Sequence, residues 1–417
     1  MPGFARDSLG AAVFAARPVS ELLAEAGVAT PTYIYDLDGI RSGARELLAT
    51  LPAPHAVAYA VKANSAASIV RTLASEGTGA DVVSGAELEL ALLCGVPSDR
   101  IVMSGVGKSD HEIELAIVAG IRGIQVESVE EIARVSARAR ALNRRARVAL
   151  RVNPNVLIDS HAHIATGHDA AKFGIPLADL DAAWQRIDAE PDTLVGVGIS
   201  SHVGSNMGTT EAYAASGEVL CDVARARLAH GKTLEYVNFG GGFGIDGGTG
   251  SVAAPREFAQ VARELLTRHG LEQLSLGVEP GRSMVGPYGL LVASVIQPKV
   301  GRGRRWIMID AGMNDLIRPA LYGALHRIEP LERPPSEGAW RVVGPVCESS
   351  DDFGEHPLGD RPPEQVAIRD TGAYGFVMAS EYNGRGLPNE VFVEGGRVVK
   401  VSRSSGSKGW LERRLQA

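Results

Sequence analysis

The chain has 417 residues, 45% of them hydrophobic and 22% charged, with 49 glycines and a formal net charge of -7. That length calls for one large domain and a second one, and the acidic balance argues against non-specific binding to nucleic acid. Three scattered cysteines, Cys94, Cys221 and Cys347, point to a reducing compartment without a disulfide framework, and no apolar run approaches the length of a membrane span.

Residues 1 to about 30 read as a strand and a short helix. The stretch Leu9 to Ala16 is short, mildly apolar and preceded by Asp7, so the reading is a cytoplasmic protein rather than a secreted one. A regular alternation then begins. Apolar runs at Ala56–Val61, Ala80–Val83, Ile101–Met103, Ile124–Val126, Val148–Val152, Val195–Ser200, Tyr236–Phe239 and Leu274–Val278 are separated by amphipathic stretches such as Val129–Leu142. Eight strands alternating with helices predict βα units, a parallel sheet and a TIM-type (β/α)8 barrel, an α/β fold; a doubly wound open sheet is the competitor. After about residue 285 the texture changes. Leu290–Ile296, Arg305–Ile309, Arg341–Val343 and Val391–Val393 are β-rich, the spacers are rich in glycine and proline, and the only helix suggested is a short one near Pro319–Leu325. The reading is a barrel over 31–285 and a mainly antiparallel β domain formed by 1–30 and 286–417.

The chemically useful residues fall at the ends of the predicted strands, which a barrel gathers around one mouth. Lys62 closes an apolar run that reads as buried on both faces; low-dielectric walls there would favour a neutral, nucleophilic amine, whereas a lysine reaching for solvent is the plain structural alternative. Asp81 lies in the second run, and His202 with Ser205 follows the sixth. Gly240-Gly241-Gly242 follows the seventh. Such glycines let a backbone approach a phosphate, but the nucleotide-binding spacings are absent and a simple tight turn reads as well. Glu279-Pro280-Gly281-Arg282 sets opposite charges at the end of the eighth run, where an ion pair across a turn is the plain alternative.

Taken together, Tyr59 to Asn64, Asp81 to Glu87, Lys172-Phe173-Gly174, His202 to Ser205, Gly240 to Gly242, Glu279 to Ser283, Cys347-Glu348-Ser349 and Gly372 to Gly375 resemble the fold-type III pyridoxal phosphate-dependent decarboxylases over nearly the whole chain. Asp310 to Tyr322 is similar to the diaminopimelate branch of that family. The resemblance implies pyridoxal 5'-phosphate as cofactor, linked to Lys62, with Asp81 nearby, Glu279 facing the pyridine nitrogen and His202 stacked on the ring. Ser205, Gly240, Gly241, Gly242, Gly281 and Tyr374 would hold the phosphate, with Arg282 also among the cofactor-binding residues. Arg282, Arg318, Tyr322, Glu348 and Tyr374 would contact the substrate, and Cys347 would return a proton. Cys347 and Glu348 would come from the partner in a homodimer with shared sites. The implied reaction converts meso-diaminopimelate to L-lysine and carbon dioxide.

A carboxylate at position 279 suits that chemistry. It keeps the ring nitrogen protonated and the ring a strong electron sink, where a racemase would use an arginine and a weaker sink. The alternatives are a related decarboxylase acting on another amino acid, free or carrier-bound, and a non-enzymatic carrier of the cofactor, which would have no need of Cys347. The chain departs from the family's Arg-Pro-Arg at Arg385-Gly386-Leu387.

Overall fold

The computed structural model describes residues 3–156, 172–247, 250 and 252–416. The chain divides into two units, one of Gly43–Ile245 with Ser251–Met284, the other of Met1–Ser42, Asp246–Gly250 and Val285–Ala417.

In the first unit, among the described residues, eight parallel strands form a closed ring, Ala56–Ala60, Gly79–Val82, Ile101–Met103, Gly123–Val126, Ala146–Asn153, Leu194–Ser200, Tyr236–Asn238 and Ser275–Val278, and a two-residue strand, Ile175–Pro176, adds in parallel to Ala146–Asn153 outside the ring. Each strand of the ring pairs with the next, and the last pairs with the first through Gly277 with Ala56 and Val278 with Val57, so the sheet closes into a barrel. Serines start several of the intervening helices. Ser84, Ser109 and Ser128 each accept a backbone N–H three residues on, and Glu112 completes a capping box with Ser109.

The barrel interior is layered by the two-residue period of its strands. One layer is filled by the Tyr236 ring. A Cβ at Gly123 would lie 2.4 Å from its hydroxyl, and one at Gly198 would lie 2.6 Å from the ring, so these two glycines make room for one aromatic side chain. Two residues further along the same three strands stand Gln125, Ser200 and Asn238, all buried. A polar layer therefore lies on the apolar one, towards the C-terminal ends.

In the second unit the long strand Gly289–Gly301 pairs antiparallel with Thr32–Asp36, Arg304–Ile309 and Gln365–Ile368. Phe14, Val19, Leu22, Ile34, Leu290, Val292, Val391 and Val393 share its core. Two pairings are parallel: Asn389–Glu394 with Thr32–Asp36, and Arg304–Ile309 with Ala339–Val343.

Three expectations change here. The boundary expected at residue 31 moves to residue 42. Thr32–Asp36 is buried along its length, and its backbone partners are Gly289 to Val292 and Asn389 to Val393 in the β unit. The N-terminal segment holds three short strands, Ala5–Arg6, Ala12–Phe14 and Arg17–Pro18, rather than one. A ten-residue helix, Gly406–Leu415, was not anticipated; its glycines and charged residues hide the helical period. No helix among the described residues is long and apolar enough to cross a membrane.

Glu390 shows what burial costs in this unit. Desolvation pushes its carboxyl up to about 7, against the Tyr35 hydroxyl, which donates to it at 3.1 Å. The folded state therefore holds a proton that the unfolded chain releases nearer its ordinary value of 4.5, so this group's contribution to stability falls as pH rises from about 4.5 through about 7. Glu390→Gln should gain roughly 1–3 kcal/mol over the native chain at the alkaline end of that window and lose the gain at the acid end. Denaturant unfolding across the window checks this; a pH-independent difference would refute it.

Candidate active site

Lys62 sits in a single 3-10 turn, Val61–Ala63, directly after the strand Ala56–Ala60. Its Nζ lies 3.6 Å from Oδ2 of the buried Asp81, and its side chain is 38% exposed. The apolar walls expected around the amine are absent on that side, where a carboxylate faces it. Asp81 is held in turn by the Ser104 hydroxyl, which donates to its other oxygen at 2.6 Å.

Glu279 follows the strand Ser275–Val278 and is buried. Its Oε1 accepts two side-chain amides, Gln125 Nε2 at 2.5 Å and Asn238 Nδ2 at 2.7 Å. Burial, and then the charge of Asp81, push its carboxyl up to about 7; the Gln125 hydrogen bond and the charges of Lys62 and Arg151 oppose the rise. His202 follows the strand Leu194–Ser200. Gly241 N–H donates to its Nδ1 at 3.2 Å, which leaves the ring proton on Nε2. Burial, with Lys62 and Arg151 adding to it, holds the imidazole well below its usual range, so the ring is neutral.

The glycine turn is packed too closely for any side chain. A Cβ at Gly240, Gly241 or Gly242 would fall 2.2, 1.9 or 2.2 Å from the carbonyl oxygens of Ser201, Glu279 and Gly204. The Gly240 N–H donates to Asn238 Oδ1 at 2.9 Å. Arg282, next to Gly281, donates to the Ser205 hydroxyl at 3.1 Å. Behind these residues, Glu127 gathers Arg151 at 2.9 Å and the Gly105 and Gly174 N–H groups at 3.1 Å, which docks Lys172-Phe173-Gly174 against the end of the fifth barrel strand. Lys62, Asp81, His202, Ser205, Gly240 to Gly242, Glu279, Gly281 and Arg282 thus all belong to the barrel unit and to its C-terminal strand ends.

Arg318, Tyr322, Cys347, Glu348 and Tyr374 belong to the second unit. Arg318 opens the short helix Arg318–Tyr322 and is buried. Its Nη1 meets His326 Nε2 at 3.3 Å, and His326 Nδ1 donates to the Arg369 carbonyl at 2.9 Å, so that imidazole presents an acceptor to the guanidinium. Cys94 and Cys221 are buried, and burial pushes the Cys221 thiol up to about 12; Cys347 is exposed. The Cys347–Glu348 loop is tied from three sides. Asn383 Oδ1 accepts the Cys347 N–H at 3.0 Å, the Tyr382 hydroxyl donates to Glu348 at 2.8 Å, and Asp351 accepts the Val346 and Met313 N–H groups. At the unusual Arg385-Gly386-Leu387, Arg385 donates to the Pro345 carbonyl at 3.1 Å. Tyr374 has φ of 56°, a left-handed backbone that a tyrosine adopts only when its surroundings impose it.

Residues 37–286 match the family model of the pyridoxal-dependent decarboxylases, pyridoxal binding domain. The diaminopimelate decarboxylase of Neisseria meningitidis serogroup A is 38% identical over 386 residues, covering 91% of this chain and 93% of that protein. The chain belongs to the diaminopimelate decarboxylase family. Two solved members of that family, both with L-lysine, share its fold. The Helicobacter pylori enzyme superposes with a TM-score of 0.87 at 33% identity over 95% of this chain and 99% of that one. The M. jannaschii enzyme gives 0.90 at 31% over 99% and 97%.

Pyridoxal phosphate is the family's cofactor, and the groups at the barrel mouth suit it: a lysine amine, a carboxylate with one oxygen committed to amide donors, a neutral imidazole and an arginine beside a hydroxyl and a glycine turn. Gln125, Ser200, Ser104 and His326 were not singled out from the sequence, whereas Tyr382 and Asn383 stand in the segment 380–388 that resembles the family's terminal motif. For Gln125 and Asn238 a signal existed, since each is a lone polar residue in an otherwise apolar strand run; for His326 none did.

Asn383 is itself left-handed, with φ of 59°. Asn383→Gly keeps that backbone and removes the acceptor for Cys347. Hydrogen exchange at the Cys347 amide should speed up while overall stability changes by no more than about 1 kcal/mol. Unchanged exchange would show that Asn383 does not order the loop.

Proposed function

We propose that the chain catalyses the pyridoxal phosphate-dependent decarboxylation of meso-diaminopimelate to L-lysine and carbon dioxide. The observation that carries this reading is a likeness to diaminopimelate decarboxylases over 91% of the chain, together with a buried Glu279 held by two amide donors at the barrel mouth. When bound, pyridoxal phosphate supplies a sink for the electron pair left on the substrate's α-carbon.

The chain's own residues do the rest. Lys62 anchors the cofactor covalently, with Asp81 fixing its amine. Glu279 holds a proton at the ring nitrogen. His202, neutral and oriented by the Gly241 amide, would pack against the cofactor's ring. Arg282 and Ser205, the glycine turn, Gly281 and Tyr374 serve the phosphate, with the Gly240 and Gly241 amides occupied in aligning Asn238 and His202. Arg318, Tyr322 and Glu348 address the distal amine and carboxylate of the substrate, charge against opposite charge. Cys347 Sγ–H delivers a proton to the α-carbon once carbon dioxide has left.

Purified holoenzyme given a panel of amino acids should release carbon dioxide from meso-diaminopimelate and form L-lysine. Borohydride reduction should leave a pyridoxyl adduct on Lys62, and Lys62→Ala should lose both the adduct and nearly all turnover. Preferred turnover of another amino acid, or an adduct on another lysine, overturns the reading.

We further infer a homodimer in which Lys62 of one chain works with Cys347 of its partner. Lys62→Ala and Cys347→Ala are then each inactive alone. After subunit exchange about half the dimers are hybrids with one intact site, so roughly a quarter of native activity should return. Verified hybrids without activity would place both residues in one chain's site.

A further inference from the structure

Building on the cofactor assignment above, we propose that Gln125 and Asn238 are positioning residues for the decarboxylation: by donating together to Oε1 of Glu279 they hold that carboxylate charged and in one orientation, with Oε2 assigned to the cofactor's ring nitrogen.

Three observations converge. Both amides reach the same oxygen, at 2.5 and 2.7 Å. Each amide is itself oriented, because the Ser200 hydroxyl donates to Gln125 Oε1 at 2.5 Å and the Gly240 N–H donates to Asn238 Oδ1 at 2.9 Å. A flipped amide would set oxygen against oxygen at Glu279 and nitrogen against a donor at its other end, so the network admits one arrangement. Finally, Gln125, Ser200, Asn238 and Glu279 are all buried, where an orphaned polar group is costly and a satisfied one is rigid.

The choice of neutral donors has a chemical reason. Burial and Asp81 both disfavour the Glu279 carboxylate. A cation hydrogen-bonded to Oε1 would restore it but would cancel the negative charge that keeps a proton on the ring nitrogen. Two amides stabilise the charged form and leave that charge in place. They act through Glu279 and touch no reacting atom.

The test uses holoenzyme carrying cofactor with an isotope-labelled ring nitrogen, whose NMR shift separates protonated from bare nitrogen. Native protein should keep the ring protonated through neutral pH. Gln125→Met and Asn238→Leu each remove one donor at similar volume. Each should lower the ring nitrogen's proton affinity about tenfold, and the double variant should lower it further, towards Glu279→Gln. In turnover the loss should appear in kcat with KM little changed.

Should the larger substitutions prevent folding, Ser200→Ala frees the Gln125 amide to turn and should shift the same titration in the same direction by a smaller amount. A folded, cofactor-loaded double variant, or Ser200→Ala, whose ring nitrogen titrates as in native protein overturns the proposal. The titration needs no substrate. A native holoenzyme that titrates as expected yet leaves meso-diaminopimelate untouched would therefore overturn the substrate assignment and leave this inference standing.

Discussion

A carboxylate buried inside a closed barrel must either be neutralised or be surrounded by donors, and Glu279 lies at that balance. Desolvation and Asp81 push it towards the acid form; two amides and the more distant charges of Lys62 and Arg151 pull it back. The polar layer exists to serve this balance. Gln125, Ser200 and Asn238, from the fourth, sixth and seventh barrel strands, form with the Gly240 amide in the turn after the seventh a hydrogen-bonded set that converges on the residue following the eighth.

The layer beneath it makes the arrangement rigid. Tyr236 fills the interior because Gly123 and Gly198 leave space for its ring. The same three strands then present Gln125, Ser200 and Asn238 two residues later, on the same face. One period of the strand converts a packing solution into a placement of hydrogen-bond donors, so an enlarged side chain at Gly123 or Gly198 would be felt in the polar layer as well as in the core.

The β unit solves a different problem, that of holding short chemical side chains on loops. Cys347 and Glu348 lie on an exposed loop whose order comes from Asn383, Tyr382, Asp351 and Arg385. The Arg385-Gly386-Leu387 segment departs from the family pattern but keeps a tie to the Pro345 carbonyl through its arginine. Arg318 is steadied by His326, a ring that the Arg369 carbonyl forces to act as an acceptor.

The eight barrel strands and the strand-end positions of Lys62, His202 and Glu279 were legible in the sequence, because apolar runs of strand length separated by helical spacers have few other solutions and a charge ending such a run is conspicuous. The second unit's strand Thr32–Asp36 was not. It is apolar and short like a barrel strand, and only its long-range pairing with Gly289 to Val292 assigns it. The family's motifs named the residues proposed to meet cofactor and substrate. They did not name what holds those residues, since Gln125 and Asn238 stand 154 and 41 positions from Glu279 along the chain and meet it only when the sheet closes. Local periodicity determines which segments become strands; closure of the barrel decides which side chains share a layer, and with them the donors that the buried carboxylate of Glu279 receives.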